Sequence, residues 1–322
     1  MVDIMSDKKL FGTFTKLCIA AVGSTHLINK LIDSSVETNK KILHTSTGHY
    51  YKWSYGKVYY TVTGNGTEPL MLIHDTAVDS CASEWDKLLP YLTEQFKIYT
   101  IDLPGCGRSD KPALTYTNYL YVSFLQSFIQ DVIKEDVTIA ATALSSSFVF
   151  TAAAFDHSRI KQIYAINPRS LNELASSVKS TGRLLRAYLS LPVLGTCSYH
   201  IVTGRRNIEF NYTEKMYYNP FQLSKVRVEK SYVAAHLGAG KGRFLLSSLK
   251  GGYMNWDIRH ILSKLDIPVT LITGEKLINE GKIAQAYRKL NDTFIIETVP
   301  ESKALPQEEN PSFTASVITA GK

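Results

Sequence analysis

The period of the apolar positions changes near residue 49. Before it, Leu10, Phe11, Phe14, Leu17, Cys18, Ala21, Val22, Ile28, Leu31 and Ile32 recur at helical spacing. After it come runs rich in aromatic and β-branched residues, Tyr50–Trp53 and Lys57–Val62, with Ser54-Tyr55-Gly56 between them as a hairpin turn. Leu70–His74 and Phe96–Asp102 are short apolar runs of the kind buried in parallel sheets. Between them the spacing predicts a helix over Ser83–Gln95, with Trp85, Leu88, Leu89 and Leu92 on one face. The pattern then predicts a helix over Tyr119–Lys134, a strand at Val137–Thr142, a helix over Leu144–Phe155 and a strand at Ile160–Asn167. A strand at Ile267–Thr273, a helix over Lys282–Leu290 and a strand at Thr293–Val299 complete the series.

Repeated strand–helix alternation implies a mostly parallel sheet with helices on both faces. The alternation breaks between 170 and 262, where the pattern is helical with turn signals at Gly195, Gly204, Pro220, Gly238 and Gly240. This section reads as a helical cap inserted into the α/β core. The expected organisation is a basic, apolar N-terminal helical segment (1–45), a first core part (46–170), the cap (171–262) and a second core part (263–322).

With 322 residues, the chain is long enough for one large α/β domain with an insertion. A net charge of +7 without a run of five or six like charges or a nucleic-acid motif argues against a nucleic-acid partner. It suits weak attraction to an anionic membrane surface, with residues 8–32 as the contact. The uncharged stretch Leu17–Asn29 is shorter than the roughly 20 residues a bilayer span needs. Three readings of the N-terminus stay open: an interfacial amphipathic helix, a signal peptide with Lys8-Lys9 as its basic region, and a soluble helix packed on the body. Cys18, Cys81, Cys106 and Cys197 form no CxxC pair, so neither a zinc site nor a disulfide framework is expected. The expected setting is reduced and cytoplasmic, or membrane-associated through the N-terminus. Nothing calls for a cofactor or a metal.

Candidate chemistry changes the picture more. Ile101-Asp-Leu-Pro-Gly-Cys-Gly-Arg-Ser-Asp-Lys-Pro112 resembles the D-x-P-G-x-G-x-S-x-x-P loop of the α/β-hydrolase superfamily, in its cap-bearing epoxide hydrolase, haloalkane dehalogenase and esterase branch. Leu72-Ile-His-Asp75 and Trp85–Pro90 resemble the superfamily's H-G loop and following helix, and Ile166-Asn-Pro168 and Gly274-Glu-Lys276 resemble later strand ends. The resemblance implies an α/β-hydrolase fold. It also implies a nucleophile on a strand-to-helix elbow, G-x-S-x-G, with a histidine to deprotonate it and a carboxylate to orient the histidine.

Two registers are open at the elbow. Setting Ala141-Thr-Ala-Leu-Ser145 on the motif places Ala143 at the nucleophile; setting Ala143-Leu-Ser-Ser-Ser147 on it places Ser145 there. The acid position, G-x-x-D in the superfamily, reads Gly274-Glu-Lys-Leu277. The histidine position falls on Ala304, and no histidine occurs after His260. Asp75 replaces the glycine that usually follows His74, and a carboxylate there disfavours a developing oxyanion. The triad positions thus read Ala143, Leu277 and Ala304.

The bland readings weigh beside these. Ser145, Ser146 and Ser147 start a helix, where small polar residues satisfy free N–H groups. His74, Asp102 and Asp110 match structural positions of the superfamily loops. Cys106 shapes the pocket edge, Cys81 lies in a neighbouring loop, His236 and His260 lie in or near the cap, and Asp75 reads as a solvated loop residue. The 19 tyrosines serve equally as strand residues or as an adhesive surface. The expectation is a non-catalytic member of the superfamily that binds a small apolar ligand or a protein partner. The backbone N–H groups of Thr76 and Leu144 are left to hold an acceptor atom. Two alternatives stand: an esterase of small acyl substrates using Ser145, and a membrane-associated interaction protein with a vestigial pocket.

Overall fold

The structure, a computed structural model, describes residues 4–44 and 48–320, without the side chains of 4–15, 17–19 and 280. The apolar positions expected at Leu10, Phe11, Phe14, Leu17 and Cys18, and Lys8-Lys9, therefore lie outside the described side chains.

Eight strands form one sheet: β1 (Gly48–Trp53), β2 (Gly56–Thr63), β3 (Glu68–Ile73), β4 (Phe96–Ile101), β5 (Val137–Thr142), β6 (Ile160–Ile166), β7 (Val269–Gly274) and β8 (Ile295–Val299). Their order is β1-β2-β4-β3-β5-β6-β7-β8. The β1–β2 and β2–β4 pairs are antiparallel and the rest parallel. Sequence order reverses around β3, which lies between β4 and β5. In an open α/β sheet, that reversal opens a crevice at the carboxyl ends of the strands.

The helices are α1 (Ile4–Asn39), α2 (Leu89–Leu92), α3 (Asn118–Phe128), α4 (Ser145–Phe155), α5 (Leu171–Leu174), α6 (Ser180–Ser190), α7 (Leu194–Val202), α8 (Arg205–Asn211), α9 (Lys225–His236), α10 (Arg243–Lys250), α11 (Arg259–Leu262), α12 (Glu280–Arg288), α13 (Pro306–Glu309) and α14 (Pro311–Ala320). Helices α5 to α11 all fall between β6 and β7. Among the described residues, no helix is long and apolar enough to cross a membrane.

Strand β5 shows why the core lies where it does. Ile139 and Ala141 point to one apolar cluster, shared with α3 and α4, and Ala140 points to another, shared with α2 and α14. Both faces are buried, so the strand reads as a continuous apolar run. Side chains of α6, α7 and α10 (Leu189, Tyr199, Leu245) join the first cluster, so the helical segment packs directly on the core. Each fully buried Leu, Ile, Val or Phe there contributes roughly 1.5–3 kcal/mol. Helix α3 starts where Thr117 accepts a hydrogen bond from the Leu120 N–H at 3.2 Å, and its π-helical extension stops at Lys134, with φ +63°.

Two expectations need correction. Ser83–Gln95 is not one helix; it holds a 3-10 turn at Ala82–Trp85 and the single turn of α2. Pro90 explains the break, since its ring clashes with the preceding turn and it has no N–H to donate. The residues after Val299 had no predicted helix, yet they form α13 and α14. Gln307, Glu308 and Glu309 are all buried there, which hides the apolar signature of a packed helix.

Candidate functional site

The site is built where β5 hands over to α4. The sharp turn falls on Ala143, whose φ is +46°, and Ser145 lies inside the helix with no exposed surface. A non-glycine residue in this left-handed region carries about 1–3 kcal/mol of strain, so its surroundings must hold it. The Ala143 N–H donates to the Ile166 carbonyl at 2.9 Å. Leu144 N–H donates to Asp75 Oδ1 at 3.2 Å. An elbow of this kind presents its central side chain to the crevice; here it presents a methyl group.

The three serines do not cap the helix as expected. Their hydroxyls donate to backbone carbonyls: Ser145 to His74 at 2.6 Å, Ser146 to Ala141 at 2.9 Å and Ser147 to Leu144 at 2.8 Å. Buried hydroxyls need partners, and backbone carbonyls lie within reach at the ends of β3 and β5 and in the elbow itself. The Ser145 proton is thus engaged with a backbone oxygen.

Asp75 is not a solvated loop residue either. Its Oδ1 accepts the N–H of Thr76 at 2.8 Å as well as that of Leu144. The two donors expected to face a ligand's acceptor atom are thus filled by the chain's own carboxylate. The Arg169 guanidinium, after β6, approaches the other oxygen of Asp75 to 3.9 Å and pairs with Glu173 at 2.7 Å.

His74 is sealed in. Its Nε2 accepts the Leu103 N–H at 3.0 Å, which fixes the other ring nitrogen, Nδ1, as the donor to the Asp75 carbonyl at 2.6 Å. Burial holds its pKa below the ordinary value, against the opposing pull of Asp102. Asp102 accepts from the Ala82 N–H at 2.7 Å and from Arg108 Nε at 2.6 Å. Burial alone would raise the Asp102 carboxyl, but Arg108 and the hydrogen bonds outweigh it and hold it low. The backbone crowds this loop: a Cβ on Gly107, with φ +48°, would sit 2.4 Å from Asp102 Oδ2. Burial also raises the thiols of Cys81 and Cys106, which keeps both protonated.

The remaining positions lie at the ends of β7 and β8. Leu277 follows β7 in a turn closed by its N–H on the Gly274 carbonyl at 3.1 Å. Ala304 N–H donates to the Met216 carbonyl, between α8 and α9, at 2.9 Å. Asn167, with φ +45°, ties the strand ends together. Its Nδ2 donates to the carbonyls of Lys303 and Ala304, each at 3.0 Å, and its Oδ1 accepts the Gly274 N–H at 3.0 Å. His200 and His236 stack on each other 4.9 Å apart, and burial pushes both pKa values down to about 4.

No local pattern in the chain points to the buried carboxylates around this site. Glu84 Oε1 accepts from Thr142 Oγ1 at 2.7 Å and from Gln307 Nε2 at 3.0 Å, directly beneath the elbow. Burial pushes its carboxyl up to about 8. Glu308 pairs with Arg227 of α9 at 2.9 Å and accepts the Tyr217 hydroxyl. Glu309 accepts the N–H groups of Tyr218 at 2.6 Å and Lys303 at 2.7 Å. Helix α13 therefore joins the elbow, the helical segment and the β8 loop. A cluster signal would have found none of these groups, because their partners are far away in sequence. Clefts of about 500, 260 and 110 Å³ open elsewhere, and none is lined by Asp75, Ala143 or Leu144.

A family model described as the alpha/beta hydrolase fold matches residues 69–192. Together with the sheet order and the elbow, this match gives the chain the α/β-hydrolase fold. A 2-(acetamidomethylene)succinate hydrolase of Mesorhizobium japonicum is 21% identical over 276 residues, covering 82% of this chain and 91% of its own. The structure of the epoxide hydrolase CorEH superposes with a TM-score of 0.69 at 18% identity, covering 85% of this chain and 97% of its own. A bacterial membrane phospholipase A described as a virulence factor superposes with a TM-score of 0.66 at 18% identity, covering 98% of this chain and 97% of its own.

Proposed function

We propose that this chain is a non-catalytic member of the superfamily that binds a small, largely apolar ligand between the sheet and the helical cap. The observation that carries this reading is the Asp75 carboxylate on the Thr76 and Leu144 N–H groups, beside an alanine at the elbow. Acyl transfer needs those donors free for the oxyanion and needs a nucleophile at the turn. Ala304 and Leu277 in the other two positions support the same reading, because triad members act as a unit. Ala77, Ala143, Leu277 and Ala304 stay partly accessible and would give such a site an apolar lining, with Asp75 and Arg169 as its polar groups. The relative named as a hydrolase supports descent from hydrolytic ancestors.

The test combines fluorophosphonate labelling and a panel of short acyl esters with native mass spectrometry of the purified chain. The expected result is no labelling, no turnover and a co-purifying apolar compound that Ala143→Phe displaces. Labelling and turnover that vanish in Ser145→Ala would overturn the reading and establish an esterase. A bound compound that Ala143→Phe leaves in place would move the ligand to another site.

A further inference from the structure

Two stretches far apart in sequence carry basic residues and no acidic ones: 8–32 and 174–208. The fold sets them side by side. Helix α1 lies on α7, where Asn29 Nδ2 donates to the Val193 carbonyl at 3.3 Å and Asp33 faces His200 Nε2 at 3.4 Å. Helix α7 meets α6 through the hydroxyls of Tyr188 and Ser198, 2.7 Å apart.

All three helices turn apolar residues outward. On α1, Leu27, Ile28 and Leu31 are 60%, 55% and 62% exposed, whereas Asn29 and Val36 are buried. On α6, Leu184 is 71% exposed, and Tyr188 and Leu191 follow it at helical spacing. On α7, Leu194 and Ile201 lie on one face, with Ile201 66% exposed, whereas Thr196 and His200 are buried. A surface helix normally shows the reverse arrangement. Apolar patches on this scale mark interaction sites.

The charges decide the partner. Lys16, Lys30, Arg183 and Arg206 are exposed on or beside these helices, and neither stretch contains a carboxylate. A protein interface is commonly rimmed by both signs of charge, whereas apolar faces flanked mainly by cations, with the nearest carboxylates (Asp33, Glu173 and Glu209) just outside the two stretches, match a headgroup layer of negative charge above acyl chains. Since no described helix can cross a bilayer, such contact lies in the interface plane.

We infer that the outward faces of α1, α6 and α7 together dock this chain on an anionic lipid surface. Leucine and isoleucine side chains enter the acyl boundary, and lysine and arginine hold the headgroups. The inference does not rest on the absence of catalysis at the elbow.

The experiment is co-sedimentation of the full chain with vesicles of phosphatidylcholine alone and of phosphatidylcholine mixed with phosphatidylglycerol. Binding to the mixed vesicles is expected, weakening as salt is raised. Arg183→Gln with Arg206→Gln should weaken it about fivefold per arginine. Leu184→Gln with Ile201→Gln should abolish it, with circular dichroism unchanged because both side chains are exposed. Absence of sedimentation with mixed vesicles overturns the inference, as does unaltered binding by both double variants. If the chain instead forms a dimer that Leu184→Gln with Ile201→Gln splits, and no vesicle binding is seen, the face is a protein interface and the inference fails. Fluorophosphonate labelling reports on the elbow alone, so the two readings fail separately.

Discussion

The Asp75 carboxylate, just beyond β3, accepts the backbone N–H of Leu144 at the start of α4, 3.2 Å away. The same oxygen accepts the Thr76 N–H. A single side chain thus satisfies both N–H groups and ties the strained turn at Ala143 to the end of β3.

Asp75→Ala leaves two backbone N–H groups without their acceptor. The expected loss is about 1–3 kcal/mol, read from urea unfolding. An unchanged midpoint would mean that water replaces the carboxylate at no cost. Ala143→Ser alone should stay unlabelled by fluorophosphonate, because the donors remain occupied and residue 304 carries no base. Labelling is expected only when Asp75→Gly and Ala304→His are added.

Ser145→Ala should cost about 1 kcal/mol, the value of one buried hydrogen bond, here to the His74 carbonyl. It should change no ligand-binding signal measured by native mass spectrometry. A larger effect on binding than on stability would place Ser145 in contact with the ligand.

Glu84 makes stability depend on pH. Its carboxyl is at about 8 in the folded chain against an ordinary 4.5, because burial disfavours the charge. The unfolded chain therefore loses this proton first. The stability from the protonated group is full below about pH 4.5 and is lost as pH rises through about 8. Glu84→Gln keeps a neutral acceptor for Thr142 and should remove that fall. Unfolding midpoints of the two proteins should diverge across this window, with the variant more stable at its alkaline end. Parallel profiles would show that Glu84 is ionised at neutral pH.

Arg227 and Glu308 are both buried and paired at 2.9 Å, joining α9 to α13. Arg227→Met leaves the Glu308 charge unpaired, and the expected cost is about 3–5 kcal/mol. Adding Glu308→Gln should recover part of that loss. Recovery in the double variant, read by urea unfolding, separates the stranded charge from lost packing around the arginine.

The local motifs were legible. The loop from Asp102 to Pro112, the run Val137–Thr142 and the alanine at 143 could be read directly, because strand periodicity and turn geometry depend on neighbouring residues. The fold puts the left-handed turn on Ala143 and buries Ser145 in a helix. The serine hydroxyls misled for a related reason. A small polar residue at a helix start offers both a donor and an acceptor, and only the nearby carbonyls of His74 and Ala141 decide which is used.

The sequence by itself determined the strand–helix alternation, the α/β-hydrolase fold and the residue types at positions 143, 277 and 304. Each is carried by local pattern or by the identity of one residue. The tertiary structure alone decided that Asp75 fills the donor pair, that Glu84 lies beneath the elbow and that the apolar faces of α1, α6 and α7 adjoin. Those relations join distant segments, such as Glu84 and Gln307, 223 positions apart. A carboxylate's partners and protonation follow from the desolvation and hydrogen bonds that such long-range packing imposes.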